Sequence, residues 1–155
     1  MILKTGDSAP NFTLKDSDGN DVSLSNFSGK PVVILFFPLA FTGVCTTELC
    51  SVRDTMKEYE NLDAAVLAIS VDSFFTLKKF KESENYNFPL LSDFNKETAQ
   101  AYGAIYDEFF GMKGVAKRSA FIVDSQGKIA YTEVLEKASD LPDFDAIKSV
   151  LKDLS

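Results

Sequence analysis

A continuous apolar run and an apolar helical stripe stand close together in the first half of this chain. Residues 32–37 read VVILFF, and Leu49, Val52, Met56 and Tyr59 follow at spacings of three, four and three. An unbroken apolar run is typical of a strand that is buried on both faces, and the later spacing is typical of a helix with one apolar face. The pattern predicts a buried strand that leads into an amphipathic helix, which is a building unit of α/β folds.

Both cysteines of the chain, Cys45 and Cys50, lie where this strand is expected to turn into the helix. Free cysteines are commonly inert and buried, and that is one interpretation of Cys45. The polar residues around it, among them Thr42 and Glu48, would be an unusual lining for a core. At a helix start, unpaired backbone N–H groups and the positive end of the dipole favour a thiolate over a thiol. We therefore expect Cys45 to be a nucleophile.

The absence of histidine limits the chemistry of that nucleophile. Ser-His-Asp triads, Cys-His pairs and histidine metal sites are all excluded, so the helix start and a cation must stabilise the thiolate. The net charge of −7 argues against a nucleic-acid partner. No apolar run of signal-peptide length opens the chain and no apolar segment is long enough for a membrane span, so we expect a cytoplasmic protein with no membrane partner.

The order of the remaining elements predicts the fold class. They are a hairpin pairing residues 12–14 with 22–24, a buried strand at 64–71, a helix from Phe74, a short strand at 88–91, a helix from Asp93 or Asn95 to about Tyr102, a hairpin pairing 119–123 with 128–131, and a last helix with Phe144, Ile147, Val150 and Leu151 on one face. Because strands alternate with helices before a final hairpin, we expect an α/β fold with a mixed central β-sheet, flanking helices and an N-terminal β-hairpin. No repeat or linker divides residues 1–155, which predicts one domain.

Two residues before Cys45 have both a structural and a functional interpretation. Thr42 lies three residues earlier, so it can cap the helix, present its hydroxyl on the same face as the sulfur, or do both. There it would donate to the thiolate and accept from a substrate hydroxyl. Pro38 either ends the strand or forms a rigid apolar wall that keeps bulk water away from the sulfur.

Residues 38–45, PLAFTGVC, match the P-x-x-x-T-x-x-C signature of the peroxiredoxins, the cysteine-dependent peroxidases. The chain resembles this family along almost its whole length. Further matching segments are residues 6–14 (GDSAPNFTL), Glu48, residues 88–93 (FPLLSD) and residues 118–124 (RSAFIVD). The resemblance implies a thioredoxin-like fold with a peroxide-reducing site.

The resemblance also implies a role for Arg118, which by itself would be interpreted as a surface charge at a strand edge. In the family this arginine lies beside the sulfur, where a guanidinium stabilises a thiolate and binds peroxide oxygens. Glu48 would orient Arg118, unless it only occupies the first helical turn, which favours negative charge. Cys45 would attack hydrogen peroxide or an alkyl hydroperoxide and become a sulfenic acid, with no metal or organic cofactor.

The role of Cys50 stays open between two interpretations. The C-x4-C spacing resembles the bacterioferritin-comigratory (Q-type) peroxiredoxins and implies that Cys50 resolves the sulfenic acid as an intramolecular disulfide, which thioredoxin or a similar thiol reductant recycles. Residues 36–45 resemble the alkyl hydroperoxide reductase E type, many of which act with one cysteine, and then Cys50 is structural. With no cysteine after Cys50, a C-terminal resolving cysteine is excluded. The resemblance leaves both a monomer and a homodimer open.

Two other classes compete with a peroxidase. A thiol-disulfide carrier of related fold would have a C-x-x-C motif, whereas four residues separate Cys45 from Cys50. A redox sensor would need only the reactive thiolate.

Overall fold

The computed structural model describes residues 2–155. Its strands are β1 (Thr13–Asp16), β2 (Asp21–Ser23), β3 (Val32–Phe36), β4 (Ala65–Ser70), β5 (Leu90–Ser92), β6 (Ser119–Val123) and β7 (Ile129–Val134). Its helices are α1 (Gly43–Asp54), α2 (Met56–Asn61), α3 (Phe74–Glu84), α4 (Glu97–Ala101) and α5 (Phe144–Leu154), with a 3-10 turn at Leu24–Phe27. Within residues 2–155, none of the helices could span a lipid bilayer.

All seven strands form one mixed sheet in the order β2-β1-β5-β4-β3-β6-β7. Strands β3, β4 and β5 run parallel, whereas β1, β2, β6 and β7 pair antiparallel with their neighbours. The predicted mixed sheet and N-terminal hairpin are therefore confirmed. The β3–β6 pairing places Phe36 opposite Ser119, so the residue before β6 lies next to the end of β3.

The central strand β3 is buried on both faces, as its apolar run predicts. Alternate side chains point to opposite sides of a strand, and accordingly Val33 and Leu35 pack in one core while Ile34 and Phe36 pack in the other. The first core is covered by apolar residues of α1, α2, α3 and α5. Complete burial of one such side chain contributes about 1.5–3 kcal/mol, so β3 and the strand end from which the chain leaves toward α1 are firmly held.

The sequence predicted one continuous helix through the stripe that ends at Tyr59, and this is wrong at Thr55. The chain breaks there, with φ −116° and ψ 17°, into α1 and α2. The Thr55 hydroxyl donates to the Ser51 carbonyl at 2.9 Å, a contact that often bends helices because it competes with the backbone ladder. The apolar stripe is buried on both sides of the break.

The predicted start of α4 is also displaced. Asp93 is the residue that satisfies the helix start, since its carboxylate accepts from the N–H groups of Thr98 and Ala99 at 3.1 and 2.7 Å. The first helical residue is nevertheless Glu97, because Lys96 precedes it in a left-handed conformation with φ 66°.

Candidate active site

Cys45 occupies the third position of α1, after the loop that follows β3. Thr42 is the N-cap residue, with extended backbone angles of φ −99° and ψ 152°, and its side chain makes no capping hydrogen bond. The first N–H groups of a helix have no intrahelical acceptor, so those of residues 43–45 remain available near the sulfur. Cys45 is completely buried. Its predicted location at a strand-to-helix junction is confirmed.

The loop between β3 and α1 is held by a carboxylate that the sequence analysis missed. The Ala40 N–H donates to Asp72 Oδ2 at 2.8 Å, and the Ser70 hydroxyl donates to the same oxygen at 2.7 Å. Phe41 has a left-handed backbone with φ 64°, which costs a non-glycine residue about 1 kcal/mol or more. Its ring packs on Phe80 with centroids 4.9 Å apart. The only signal for Asp72 in the sequence is its place directly after a buried strand.

The Thr42 hydroxyl does not donate to the sulfur of Cys45, which the sequence analysis had predicted. Oγ1 donates to the Leu39 carbonyl at 2.7 Å, so its single proton is directed to the loop and not to the sulfur of Cys45. The expected side-chain cap is not formed either. The lone pairs of Oγ1 remain able to accept a hydrogen bond, which leaves the second predicted contact, acceptance from a substrate hydroxyl, compatible with this geometry.

Arg118 lies directly before β6 and reaches the sulfur of Cys45. The register of β3 with β6 brings it to the start of α1, and it is only 1% exposed. Nη2 donates to Cys45 Sγ at 3.3 Å and Nη1 donates to Glu48 Oε1 at 2.6 Å. Nε and Nη2 also donate to the Ala138 carbonyl at 3.1 and 2.9 Å. Cys45, Glu48 and Arg118 are thus brought together, and Ala138 is a further partner that the sequence did not indicate.

Glu48 and Arg118 form a hydrogen-bonded pair without access to solvent. Burial raises the pKa of Glu48 from 4.5 to about 7, although the charge and hydrogen bond of Arg118 oppose the shift, and the negative charge of Glu133 adds to it. Burial lowers the pKa of Arg118 because it disfavours the charged form. The interactions with Glu48 and Cys45 raise the pKa by more, so it lies above its usual value. Glu48 Oε2 is buried and has no hydrogen-bond partner.

This environment predicts a pH dependence of stability. Because the folded-state pKa of Glu48 lies above its unfolded value, its contribution is fully present below about pH 4.5 and is lost as the pH rises through about 7. We expect the free energy of unfolding of Cys45→Ser, in which residue 45 carries no charge, to fall relative to that of Cys45→Ser/Glu48→Gln by up to about 3 kcal/mol across this window. Urea denaturation of both proteins at the two ends of the window measures the difference.

The matched control is Glu60→Gln, which changes an exposed glutamate on α2. Added to Cys45→Ser, it should leave the pH dependence unchanged. Parallel curves for Cys45→Ser with and without Glu48→Gln would contradict the assignment of a raised pKa to Glu48.

A cavity of about 400 Å³ opens over Cys45 and is lined mainly by apolar side chains. Pro38, Leu39 and Val44 form one part of its wall, while Phe109 and Phe110 come from the segment before Arg118. Pro38 is buried, so it occupies the wall position that the sequence predicted. A larger groove of about 700 Å³, between β1 and the starts of α3 and α4, is lined by neither cysteine nor arginine within the described residues.

The aromatic residues that the sequence left open between core and interface divide into two groups. Phe74 and Phe109 are half-buried and stack on neighbouring rings, with centroids 4.2 Å apart for Phe74–Phe75 and 4.9 Å apart for Tyr106–Phe109. Phe75 and Phe110 are 72% and 87% exposed. None of the four belongs to either core cluster of buried residues.

Cys50 lies on the same helix but in a different environment. It is a half-buried free thiol, and Sγ lies 3.8 Å from the Tyr86 hydroxyl. Cys45 is also free, and residues 43–54 between and around the two are helical.

Comparison with known proteins identifies the family. The model of the AhpC/TSA family matches residues 5–132. Alkyl hydroperoxide reductase E of Mycobacterium tuberculosis is 43% identical over 136 residues, which cover 86% of each chain. Peroxiredoxin Bcp of Escherichia coli is 39% identical over 132 residues, covering 83% of this chain and 84% of the relative.

Solved structures show the same relationship. Peroxidoxin BcpB from Mycobacterium tuberculosis superimposes with a TM-score of 0.89 at 32% identity, covering 99% of both chains. A peroxiredoxin-like protein from Aquifex aeolicus gives a TM-score of 0.91 at 30% identity and covers all of this chain and 90% of its own. The thioredoxin-like fold is thereby confirmed. The chain belongs to the AhpC/TSA family, the peroxiredoxins, and is an oxidoreductase of the thiol peroxidase class.

Proposed function

We propose that Cys45 is the peroxidatic cysteine and that the protein reduces hydrogen peroxide and organic hydroperoxides through its thiolate. The observation that carries the proposal is the contact of Arg118 Nη2 with Cys45 Sγ at 3.3 Å, at the start of a helix and beneath an open cavity. The guanidinium and the helix start both favour negative charge on this sulfur. No histidine exists in the chain to act as a base, so these two features are the means of activation.

In the proposed reaction the sulfur attacks one peroxide oxygen in line with the O–O bond. The thiolate forms the S–O bond, the O–O bond breaks, and its electron pair leaves on the second oxygen. Thr42 Oγ1 accepts from the peroxide hydroxyl, and the free N–H groups at the start of α1 donate to the oxygens. A guanidinium has five N–H groups, and four are used by Cys45, Glu48 and Ala138, so one on Nη1 remains for the leaving oxygen.

The cavity supports organic hydroperoxides as substrates beside hydrogen peroxide. Its wall is mainly apolar, with Leu39, Val44, Phe109 and Phe110 facing the space over Cys45. A hydroperoxide with an alkyl or aryl group gains binding energy there in proportion to the apolar area that it buries. Met112 completes this wall and is 40% exposed.

We propose that Cys50 then attacks the sulfenic acid of Cys45, which gives an intramolecular disulfide that thioredoxin or a similar thiol protein reduces. Support comes from the free state of both thiols and the partial exposure of Cys50. The contact of Cys50 with the Tyr86 hydroxyl favours a second candidate, a one-cysteine enzyme in which Cys50 is structural. Steady-state turnover of Cys50→Ser with thioredoxin separates them, because an unchanged rate would leave only the second.

A cytoplasmic location and a monomer or homodimer complete the proposal. Two free thiols are consistent with a reducing compartment. Mass measurement in solution determines the oligomeric state, and the exposed rings of Phe75 and Phe110 are two separate candidate contact points.

The role of Arg118 is tested by its replacement with methionine. Arg118→Met keeps much of the side-chain volume but removes the charge and the forked donors. We expect the second-order rate constant for oxidation by hydrogen peroxide or cumene hydroperoxide to fall about 100-fold or more, together with the fraction of Cys45 present as thiolate. Stopped-flow measurement of thiolate absorbance follows both.

Lys117→Met is the matched control, because this neighbouring lysine pairs with Glu136 at the surface at 2.7 Å. Its rate constant should stay within about twofold of the native value. Since Arg118→Met leaves Glu48 without its partner, the double variant Arg118→Met/Glu48→Gln serves as a second test in which that charge is absent. Native rates in both Arg118 variants would rule out the proposed site.

A further inference from the structure

The active site buries three ionisable side chains but only one cation. Cys45 and Glu48 are fully buried and Arg118 is 1% exposed. Arg118 donates to the sulfur through Nη2 and to Glu48 Oε1 through Nη1. If Cys45 and Glu48 were both ionised, one guanidinium would have to balance two anions away from water, which is costly because buried charge needs a partner of opposite sign.

Within residues 2–155, Arg118 is the cation that acts on the pKa of Glu48. Glu133 faces Glu48 from β7 and Tyr59 from α2, and both would add negative charge if ionised. The nearby lysines pair with other carboxylates: Lys117 with Glu136, and Lys148, which lies over the Tyr59 ring, with Glu58. Among residues 2–155, Glu48 Oε2 is the buried side-chain nitrogen or oxygen atom without a hydrogen-bond partner. A neutral hydroxyl at that position costs less than an unpaired carboxylate oxygen.

We propose that Cys45 and Glu48 share one proton, which rests on Glu48 Oε2 while Cys45 is a thiolate and is released when Cys45 is oxidised. This inference rests on the proposed peroxidase function of Cys45. Glu48 does not line the cavity, so it does not touch the peroxide and is coupled to the reacting sulfur through the charge of Arg118. Its pKa is raised to about 7 with no contribution from a charge on Cys45, and a neighbouring thiolate raises it further.

The reaction balances with this proton. The thiolate forms a bond to one peroxide oxygen and is oxidised to sulfenic acid, while the O–O bond breaks and the other oxygen leaves as alkoxide or hydroxide. Water in the cavity supplies a proton to the leaving oxygen, which becomes alcohol or water, and Glu48, which no longer faces a thiolate, releases its own proton to solvent. Cys45 is then neutral, and Glu48 is a carboxylate paired with Arg118. The buried charge is the same before and after the step, and the net uptake of protons from solvent is zero.

Proton uptake during oxidation tests the inference. The parent is the Cys50→Ser protein, in which the reaction stops at sulfenic acid, and Glu48→Gln is added to it. Each protein is mixed with one equivalent of hydrogen peroxide in weak buffer with a pH indicator at about pH 8, where Glu48 beside an uncharged Cys45 is ionised, and sulfenic acid is counted by trapping and mass spectrometry. We expect about zero protons per sulfenic acid for the parent and about one for the Glu48→Gln protein, since glutamine has no proton to release.

Each other result is decisive. One proton in both proteins, or none in both, overturns the shared proton but leaves Cys45 as the peroxidatic residue. Failure of the parent to form sulfenic acid overturns the peroxidase function and this inference with it. A second measurement needs no change at Glu48: carboxyl ¹³C resonances of glutamate-labelled parent protein should show one buried glutamic acid that ionises on oxidation. An ionised Glu48 in the reduced protein would also overturn the inference.

Discussion

Cys45→Ser is expected to abolish peroxide reduction. A serine hydroxyl is not ionised near neutral pH, and the chain has no histidine that could remove its proton. Arg118 lies 3.3 Å from the sulfur and would still bind an anion, but it cannot supply a nucleophile. Loss of a catalytic nucleophile typically lowers turnover by about 10⁴-fold or more, so activity should fall to the uncatalysed rate with either class of peroxide.

The control for this substitution is Cys50→Ser, which alters the other cysteine of the same helix. It should keep the first oxidation step at the native rate and change only recycling. Because serine is similar in size to cysteine, both variants should fold with native helix content. Substantial turnover by Cys45→Ser would contradict the assignment, and a carrier or sensor would instead show slow oxidation of both thiols in the native protein.

Local pattern was enough to predict the elements around the site. The apolar run of β3, the two hairpins and the helix that contains Cys45 follow from residues that are neighbours in sequence, and all are confirmed. The break at Thr55 was not predictable from the apolar stripe, because a hydroxyl that bonds to the Ser51 carbonyl changes the backbone without changing the stripe. Periodicity therefore indicates which face is buried more reliably than where a helix ends.

The contacts that assemble the site were harder to predict from the sequence, because they join distant parts of the chain. Arg118 is 73 residues from Cys45, and only the family resemblance indicated it. Asp72 and the Ala138 carbonyl were missed, since an isolated carboxylate and a backbone oxygen have no sequence signature. The direction of the Thr42 hydroxyl depends on where the loop places the Leu39 carbonyl, which only the folded loop determines.

The structure also determines what must move if Cys50 resolves the sulfenic acid. Both cysteines lie in α1, whose residues 43–54 are helical. A five-residue offset in a helix separates the Cα atoms by about 8–9 Å and turns the side chains about 140° apart. A disulfide needs Cα atoms no more than about 7 Å apart. The bond between Cys45 and Cys50 therefore cannot form until the helical turn between them unwinds.

The contacts of α1 predict where the unwinding stops. Near its start the helix is held by hydrogen bonds such as those from the Thr46 N–H and hydroxyl to the Thr42 carbonyl, and by the buried side chains at positions 45, 48 and 49. Near its end Arg53 binds the Glu84 carbonyl at 2.6 Å, and the Asn87 side chain donates to the Arg53 carbonyl at 3.3 Å. The disulfide forces the first turns open at the cost of their contacts, whereas it does not require the contacts of Arg53 to break, so we expect residues 43–52 to open while Arg53 stays in place.

Amide hydrogen exchange on the reduced and oxidised proteins tests this expectation. In the reduced protein residues 43–52 should be protected, because the helix start that stabilises the thiolate is intact. In the disulfide form these amides should exchange about 100-fold faster or more, while the sheet and the end of α1 keep their protection. Cys50→Ser treated with peroxide is the control, since its sulfenic acid does not force the turn apart. Equal protection across residues 43–52, in a sample shown by mass spectrometry to contain the Cys45–Cys50 bond, would rule out unwinding as the route to resolution.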